Sequence, residues 1–175
     1  MNIILLGPAG SGKSTQAKIL GEELGLPVLS AGDLLYFASQ SDNPESKNIV
    51  EKMQKGELVD HDIMVRFMEE HLAQNEHSKG TIIDGFPRSL IEAEKFSVKI
   101  EKVIHIKVSD VEVKKRLFSR GRSDDSESVI NNRIKIYHEE VGPVVEYYRE
   151  KGILAEIDGE QEINTIASQI RGHFI

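Results

Sequence analysis

Short runs of aliphatic and β-branched residues recur along the chain at residues 3–6 (Ile-Ile-Leu-Leu), 28–29, 81–83, 103–108 and 153–157. Runs this brief and this apolar read as strands buried inside a sheet. Longer segments between them carry the helical period. Residues 13–24 form one such segment, and residues 60–74 a second, with Ile63, Met64, Phe67, Met68 and Leu72 along one stripe. Residues 126–149 form a third, read as a single long helix. Strand and helix alternate from end to end, which predicts βαβ units, right-handed crossovers and a parallel sheet covered on both faces. Ligands of such sheets bind beyond the carboxyl ends of the strands, so the segments that follow each strand are where chemistry is expected. No repeat, low-complexity tract or linker divides the chain, and the polar stretch at residues 39–46 reads as a loop inside one domain spanning residues 1–175.

Composition narrows the possible partners. A chain of 175 residues is long enough to bury about 70% of the surface that its unfolded form exposes. No apolar run approaches the roughly 18 residues that cross a bilayer, so no membrane span is expected. Met1 and Asn2 lead straight into the first apolar run, and no secretory signal is expected. The absence of cysteine excludes a disulfide framework, a thiol nucleophile and a cysteine-ligated zinc, and it fits a reducing compartment, with the cytoplasm the expected location. A net charge of −7 argues against nonspecific binding to nucleic acid or to an anionic membrane. Any phosphate must therefore be held by local groups. Four of the eight arginines, Arg116, Arg120, Arg122 and Arg133, fall within one window of eighteen residues. With no acid interleaved between Arg116 and Arg122, the window reads as a concentration of phosphate donors rather than a salt-bridged helix face.

The first strand runs directly into Gly7-Pro8-Ala9-Gly10-Ser11-Gly12-Lys13-Ser14-Thr15, a match to G-x-x-x-x-G-K-[ST] with a strand before it and a helix after it. In such a loop the glycines let successive backbone N–H groups, from Gly10, Ser11 and Gly12 through Thr15, point at phosphate oxygens, and the helix start adds its positive dipole end. Lys13 reaches the β and γ phosphates, and the Ser14 hydroxyl is placed for Mg2+. A nucleoside triphosphate, ATP in the simplest case, is the expected ligand.

A second segment, Thr81-Ile82-Ile83-Asp84-Gly85-Phe86-Pro87-Arg88, sets a carboxylate at the end of an apolar strand, then a glycine turn, a rigid Phe-Pro pair and an arginine. Asp84 is placed to hold Mg2+ largely through water. Together with the phosphate loop this segment resembles the nucleoside-monophosphate kinase family, closest to its short-lid adenylate kinase members, with some uridylate/cytidylate kinase features. Ser30 to Leu35, Lys55 to Val59, Arg122 to Asp125 and Arg133 follow the family's order and spacing as well. The resemblance implies an α/β, three-layer P-loop NTPase fold with a five-stranded parallel sheet flanked by helices. It also implies a monophosphate-binding helical segment at about residues 30–60, a short lid loop at about 117–125, and a monomer. The implied reaction moves the γ-phosphoryl of magnesium-bound ATP to the α-phosphate of a nucleoside monophosphate. Such a transfer demands positioning and charge neutralisation more than covalent chemistry. Carried onto this chain, the resemblance implies that Arg88 holds the acceptor phosphate and that Arg122 and Arg133 close over the transferring group. Arg116 and Arg120 would flank ATP, with a backbone contact near Gln161. Ala31, Tyr36, Glu57, Leu58, Val59, Gly85, Phe86, Pro87 and Glu92 would complete the monophosphate site.

Three of these positions depart from the family. Ala31-Gly32-Asp33 replaces the usual Thr-Gly-Asp of adenylate kinases, so that Ser30-Ala31-Gly32 looks more like the pyrimidine kinases. Tyr36 replaces an arginine that contacts the acceptor phosphate, which removes a charge-assisted bond. Glu92 stands where adenylate kinases carry a glutamine that reads adenine. A glutamate that only accepts would suit guanine, or adenine's amino group alone; the other reading is an exposed helical glutamate within residues 91–95. Between Arg120 and Arg122 only Gly121 remains, so the lid is short, no zinc is implied, and some ATP hydrolysis without acceptor is expected. The six histidines show no metal-ligand spacing and read as surface or packing residues. Tyr137, Tyr147 and Tyr148 read as core or groove-lining side chains. A UMP/CMP or GMP kinase of the same fold, or a P-loop ATPase with a degenerate acceptor site, remain as alternatives.

Overall fold

The computed structural model describes residues 1–41, 44–121 and 126–174. Five strands, β1 (Asn2–Leu6), β2 (Val28–Ser30), β3 (Thr81–Asp84), β4 (Lys102–Lys107) and β5 (Leu154–Asp158), form one sheet in the order β2-β3-β1-β4-β5, with every pairing parallel. Each coincides within two residues with an apolar run of the sequence. Nine α-helices are described: α1 (Lys13–Leu24), α2 (Ala31–Gln40), α3 (Ser46–Lys55), α4 (His61–Leu72), α5 (Leu90–Lys95), α6 (Asp110–Arg120), α7 (Glu127–Ile136), α8 (Gly142–Glu150) and α9 (Ile163–Arg171). Among the described residues no helix is long and apolar enough to cross a membrane. The stretch at 39–46 is only partly a loop, because Ser39 and Gln40 close α2 and Ser46 opens α3.

Strand alternation explains the three layers. Along β1, Ile3 and Leu5 face a core shared with Ala17 and Leu20 of α1 and Ile166 and Ile170 of α9. Ile4 and Leu6 face the opposite core, built with α2 to α5 and with Val144, Val145 and Tyr148 of α8. Both faces of a central strand are thus apolar, as a parallel sheet between helices requires. A third, smaller cluster joins Val113 and Leu117 of α6 to Ile130 and Ile134 of α7 against Ala9 of the phosphate loop. This cluster sets the arginine-bearing helices beside the loop.

The long helix expected over residues 126–149 is interrupted. A π-helical turn, Tyr137–Val141, separates α7 from α8, and α8 opens with Pro143 in its first turn. Proline has no N–H to offer the preceding turn and crowds the carbonyl four residues back, so an unbroken α-ladder cannot pass this point.

Candidate active site

β1 and β3 are neighbours, with Leu5 opposite Asp84, so their carboxyl ends deliver the phosphate loop and the Asp84 carboxylate side by side. Gly10 and Gly12 take φ of +78° and +89°, values that side-chain-bearing residues rarely adopt. Gly12 is the residue that caps α1. Ser30, Asp60, Ser89, Ser109 and Ser126 each cap a helix with a side-chain oxygen, but no side-chain hydrogen bond caps α1 among the described residues. The first-turn N–H groups of that helix therefore remain available to an anion at the loop mouth. Lys13 donates to the Pro8 carbonyl at 3.2 Å, which curls its ammonium back over the loop. Burial pushes that ammonium below its ordinary pKa; Asp84 opposes the shift, and the nearby Arg88 and Arg120 add to it.

The Ser14 hydroxyl donates to Asp84 Oδ2 at 2.5 Å, and Asp84 Oδ1 is buried with no hydrogen-bond partner among the described residues. A buried carboxylate oxygen without a partner is costly, so Ser14 and Asp84 are a pair that would fit a hydrated cation such as magnesium. Among the described residues no three acids or histidines gather into a metal cage.

A cavity of about 150 Å³ opens in front of Lys13. Gly7, Ala9 and Lys13 of the phosphate loop line it together with Glu57 and Leu58, with Gly85, Pro87 and Arg88 of the turn after β3, and with Arg133, Ile136 and Tyr137 from α7 and the π turn. Arg88 Nε donates to the Gly85 carbonyl at 2.7 Å, which fixes the guanidinium against its own turn. Burial pushes the Arg88 guanidinium below its usual value, Glu92 and Asp84 oppose that shift, and Arg133 lies close enough to add to it. Lys52 donates to Glu57 at 2.8 Å and holds the Glu57 carboxyl below its usual range. The lining thus gathers Lys13, Arg88 and Arg133 around one cavity, a concentration of cations suited to phosphate groups.

A family profile described as Adenylate kinase matches residues 5–153. An adenylate kinase of Prochlorococcus marinus is 42% identical over 176 residues, covering 97% of this chain and 94% of that protein. Adenylate kinase 1 of a Synechocystis species is 39% identical, covering 96% of this chain and 94% of its own length. An adenylate kinase of Archaeoglobus fulgidus is 34% identical, covering 97% and 96%. This chain belongs to the adenylate kinase family. It is a phosphotransferase of the nucleoside-monophosphate kinase class, and its fold is the α/β P-loop fold expected of an adenylate kinase.

Against that family several expected site residues lie elsewhere than the cavity wall. Phe86 is fully buried and packs edge-on against Phe96 with ring centres 4.9 Å apart, so its side chain belongs to the core. Ala31 and Val59 are core side chains too, which leaves only their backbone to face a ligand. Tyr36 is 56% exposed on α2, against Phe37, and does not line the cavity. Gln161 is engaged with Asp158 and Gln169. Arg122 lies outside the described residues, as does the lid loop beyond Gly121 as far as residue 125.

Two side chains correct the sequence expectation. Glu92 is not an exposed helical glutamate: it is 1% exposed, its Oε2 accepts from the Arg88 N–H at 2.6 Å, and its Oε1 lies 3.3 Å from His61 Nδ1. Arg116 is salt-bridged after all, donating to Glu112 one turn earlier at 2.8 Å, and it also donates to the Gly159 carbonyl at 2.9 Å while approaching the Ser11 carbonyl at 3.5 Å. It ties the phosphate loop to the turn after β5.

Sequence reasoning assigned no role to His61, Asn132 or the partner of Tyr137. Asn132 on α7 donates to the Lys55 carbonyl at 2.9 Å, and a Cβ at Gly56 would stand 3.1 Å from Val129 and 3.3 Å from Arg133, so the end of α3 is seated directly on α7. Tyr137 shares a hydrogen bond of 2.6 Å with His105 Nε2 on β4.

Proposed function

We propose that this chain catalyses the magnesium-dependent transfer of the γ-phosphoryl of ATP to AMP, giving two ADP. The observation that supports it most is the single cavity lined by Lys13 of the phosphate loop together with Glu57, Arg88 and Arg133. In this reading the uncapped start of α1, with Gly10 to Thr15, holds the ATP phosphates, and Lys13 draws charge from the γ-phosphoryl as its bond to ADP loosens. Arg88 holds the α-phosphate of AMP in line. Arg133, with Arg122, stabilises the charge spread over the transferring group, and Arg120 supports ATP from the end of α6. Arg116 holds the ATP side indirectly, through backbone carbonyls. Leu58, Val59, Gly85, Phe86, Pro87 and Ala31 shape the acceptor wall by backbone and packing. When bound, magnesium at Ser14 and, through water, Asp84 supplies charge neutralisation on the phosphate oxygens. The same reading makes the chain a cytoplasmic monomer.

A coupled assay with magnesium ATP against AMP, CMP, UMP and GMP, beside a control without acceptor, tests this directly. ADP formation stimulated most strongly by AMP is expected. Stimulation by another base would move the acceptor assignment, and none by any base would leave an ATPase.

A further inference from the structure

Glu92 is buried at 1% exposure and turns both of its carboxyl oxygens to partners inside the protein. One oxygen accepts from the Arg88 N–H at 2.6 Å, and the other lies 3.3 Å from His61 Nδ1. A carboxylate only accepts, so the second contact is a hydrogen bond when Nδ1 carries the hydrogen. Ser89 closes the group: its Oγ accepts from the Glu92 N–H at 3.2 Å and lies 3.1 Å from the same His61 nitrogen. Resting on the monophosphate-acceptor assignment above, we infer that Glu92 is a positioning residue which, with His61, braces the backbone of Arg88, so that residue 92 fixes the acceptor's phosphate and does not read its base.

Three features carry this. The bond to Arg88 is made at the backbone, not at the guanidinium, so it sets where the arginine starts while the Nε bond to Gly85 at 2.7 Å sets where it ends. His61 opens α4 directly after the acceptor-wall residues Glu57 and Leu58, so the link through Glu92 joins that wall to the phosphate-binding turn. The pattern Ser89-x-x-Glu92 is also that of a helix capping box, in which the acid turns back to the backbone before the helix and away from solvent.

The consequence separates bracing from base reading. Every monophosphate has the phosphate that Arg88 holds, so loosening Arg88 weakens all acceptors alike, whereas losing a base contact weakens one and spares others. The test is kcat/KM for AMP, GMP, CMP and UMP at saturating magnesium ATP. Glu92→Gln keeps an oxygen for the Arg88 N–H and should stay within about threefold of the parent for each acceptor, with their ranking unchanged. Glu92→Leu should raise every acceptor KM by about tenfold and by the same factor, leaving the KM for ATP in place. His61→Ala should give the same uniform pattern at about threefold, and His61→Asn, whose amide can still donate to the carboxylate, should restore it. A changed ranking in Glu92→Gln, which conserves shape and needs no refolding, would show a base reader and overturn the inference. So would an unchanged acceptor KM in Glu92→Leu, or an equal rise in the KM for ATP. A parent enzyme that prefers another base overturns the AMP assignment alone, and one with no acceptor-dependent ADP formation overturns both.

Discussion

In the proposed reading the ATP side of the cavity rests mainly on backbone, whereas the charged groups of the acceptor side are side chains held by other side chains. On the donor side, glycine conformations and an uncapped helix start leave N–H groups open at the loop mouth, with the Lys13 ammonium curled over it. On the acceptor side, Arg88 depends on Glu92, Glu92 on His61, and Glu57 on Lys52. A backbone cradle is specified by a short local pattern and tolerates little variation. A side-chain wall is assembled from segments some thirty residues apart and can be rebuilt piece by piece.

The contrast can be broken most sharply at the residues that serve both walls. Arg133→Ala should lower kcat by about 10³ with the fold intact, read by turnover beside circular dichroism. Lys13→Met should do at least as much, and near-normal turnover in either variant would remove that residue from the phosphoryl-transfer machinery. A smaller effect is expected on the acceptor side alone. Tyr36→Arg restores a cation on the exposed face of α2 and should lower the acceptor KM several-fold while the KM for ATP holds; an unchanged acceptor KM would detach Tyr36 from the site. Smaller still is the effect of the support behind Tyr137. Burial pushes the Tyr137 hydroxyl up to about 12, so it remains protonated through the working range. Tyr137→Phe should cost about 1 kcal/mol, or a Tm lower by roughly 2–4 °C.

Acid should probe the same support. Burial holds the His105 imidazole below its ordinary 6.5, so the unfolded chain takes up a proton that the native state resists. Stability from this group is whole above pH 6.5 and is lost as pH falls from there through the depressed native value. His105→Gln should flatten that part of the acid dependence of Tm; an unchanged curve would assign the acid sensitivity to other groups.

Sheet, strand limits and phosphate loop were legible because each rests on local pattern: apolar runs for buried strands, and glycine and lysine at fixed spacing for the loop. The arginine window was legible as a cluster but not in its wiring. Glu112 sits one turn before Arg116, a spacing visible in the sequence, but it lies outside the arginine window, whose own interior holds no acid between Arg116 and Arg122. Glu92 carried a readable signal in Ser89-x-x-Glu92, although its approach to His61 depends on α4 packing against α5, which no local pattern encodes. The same holds for Phe86, Ala31 and Val59. Their motif marks the site, but the core claims their side chains.

The π turn has a meaning for insertions and deletions. In an unbroken α-helix each residue advances about 100° around the axis, and Ile130, Ile134, Val141, Val145 and Tyr148 would share one stripe. Here the turn at Tyr137–Val141 accommodates one residue more between bonded partners, and the stripe is divided, with Ile130 and Ile134 packed beside the phosphate loop and Val141, Val145 and Tyr148 packed in the main core. Deleting a single residue within that turn would close it into ordinary helix, and because the lost residue's advance of about 100° is nearly matched by the lag of the wide turn, Arg133 would keep close to its present direction relative to the core. The π turn is therefore a slack point, where the chain between Arg133 and Val144 can hold one residue more or fewer without turning the arginine away from the cavity.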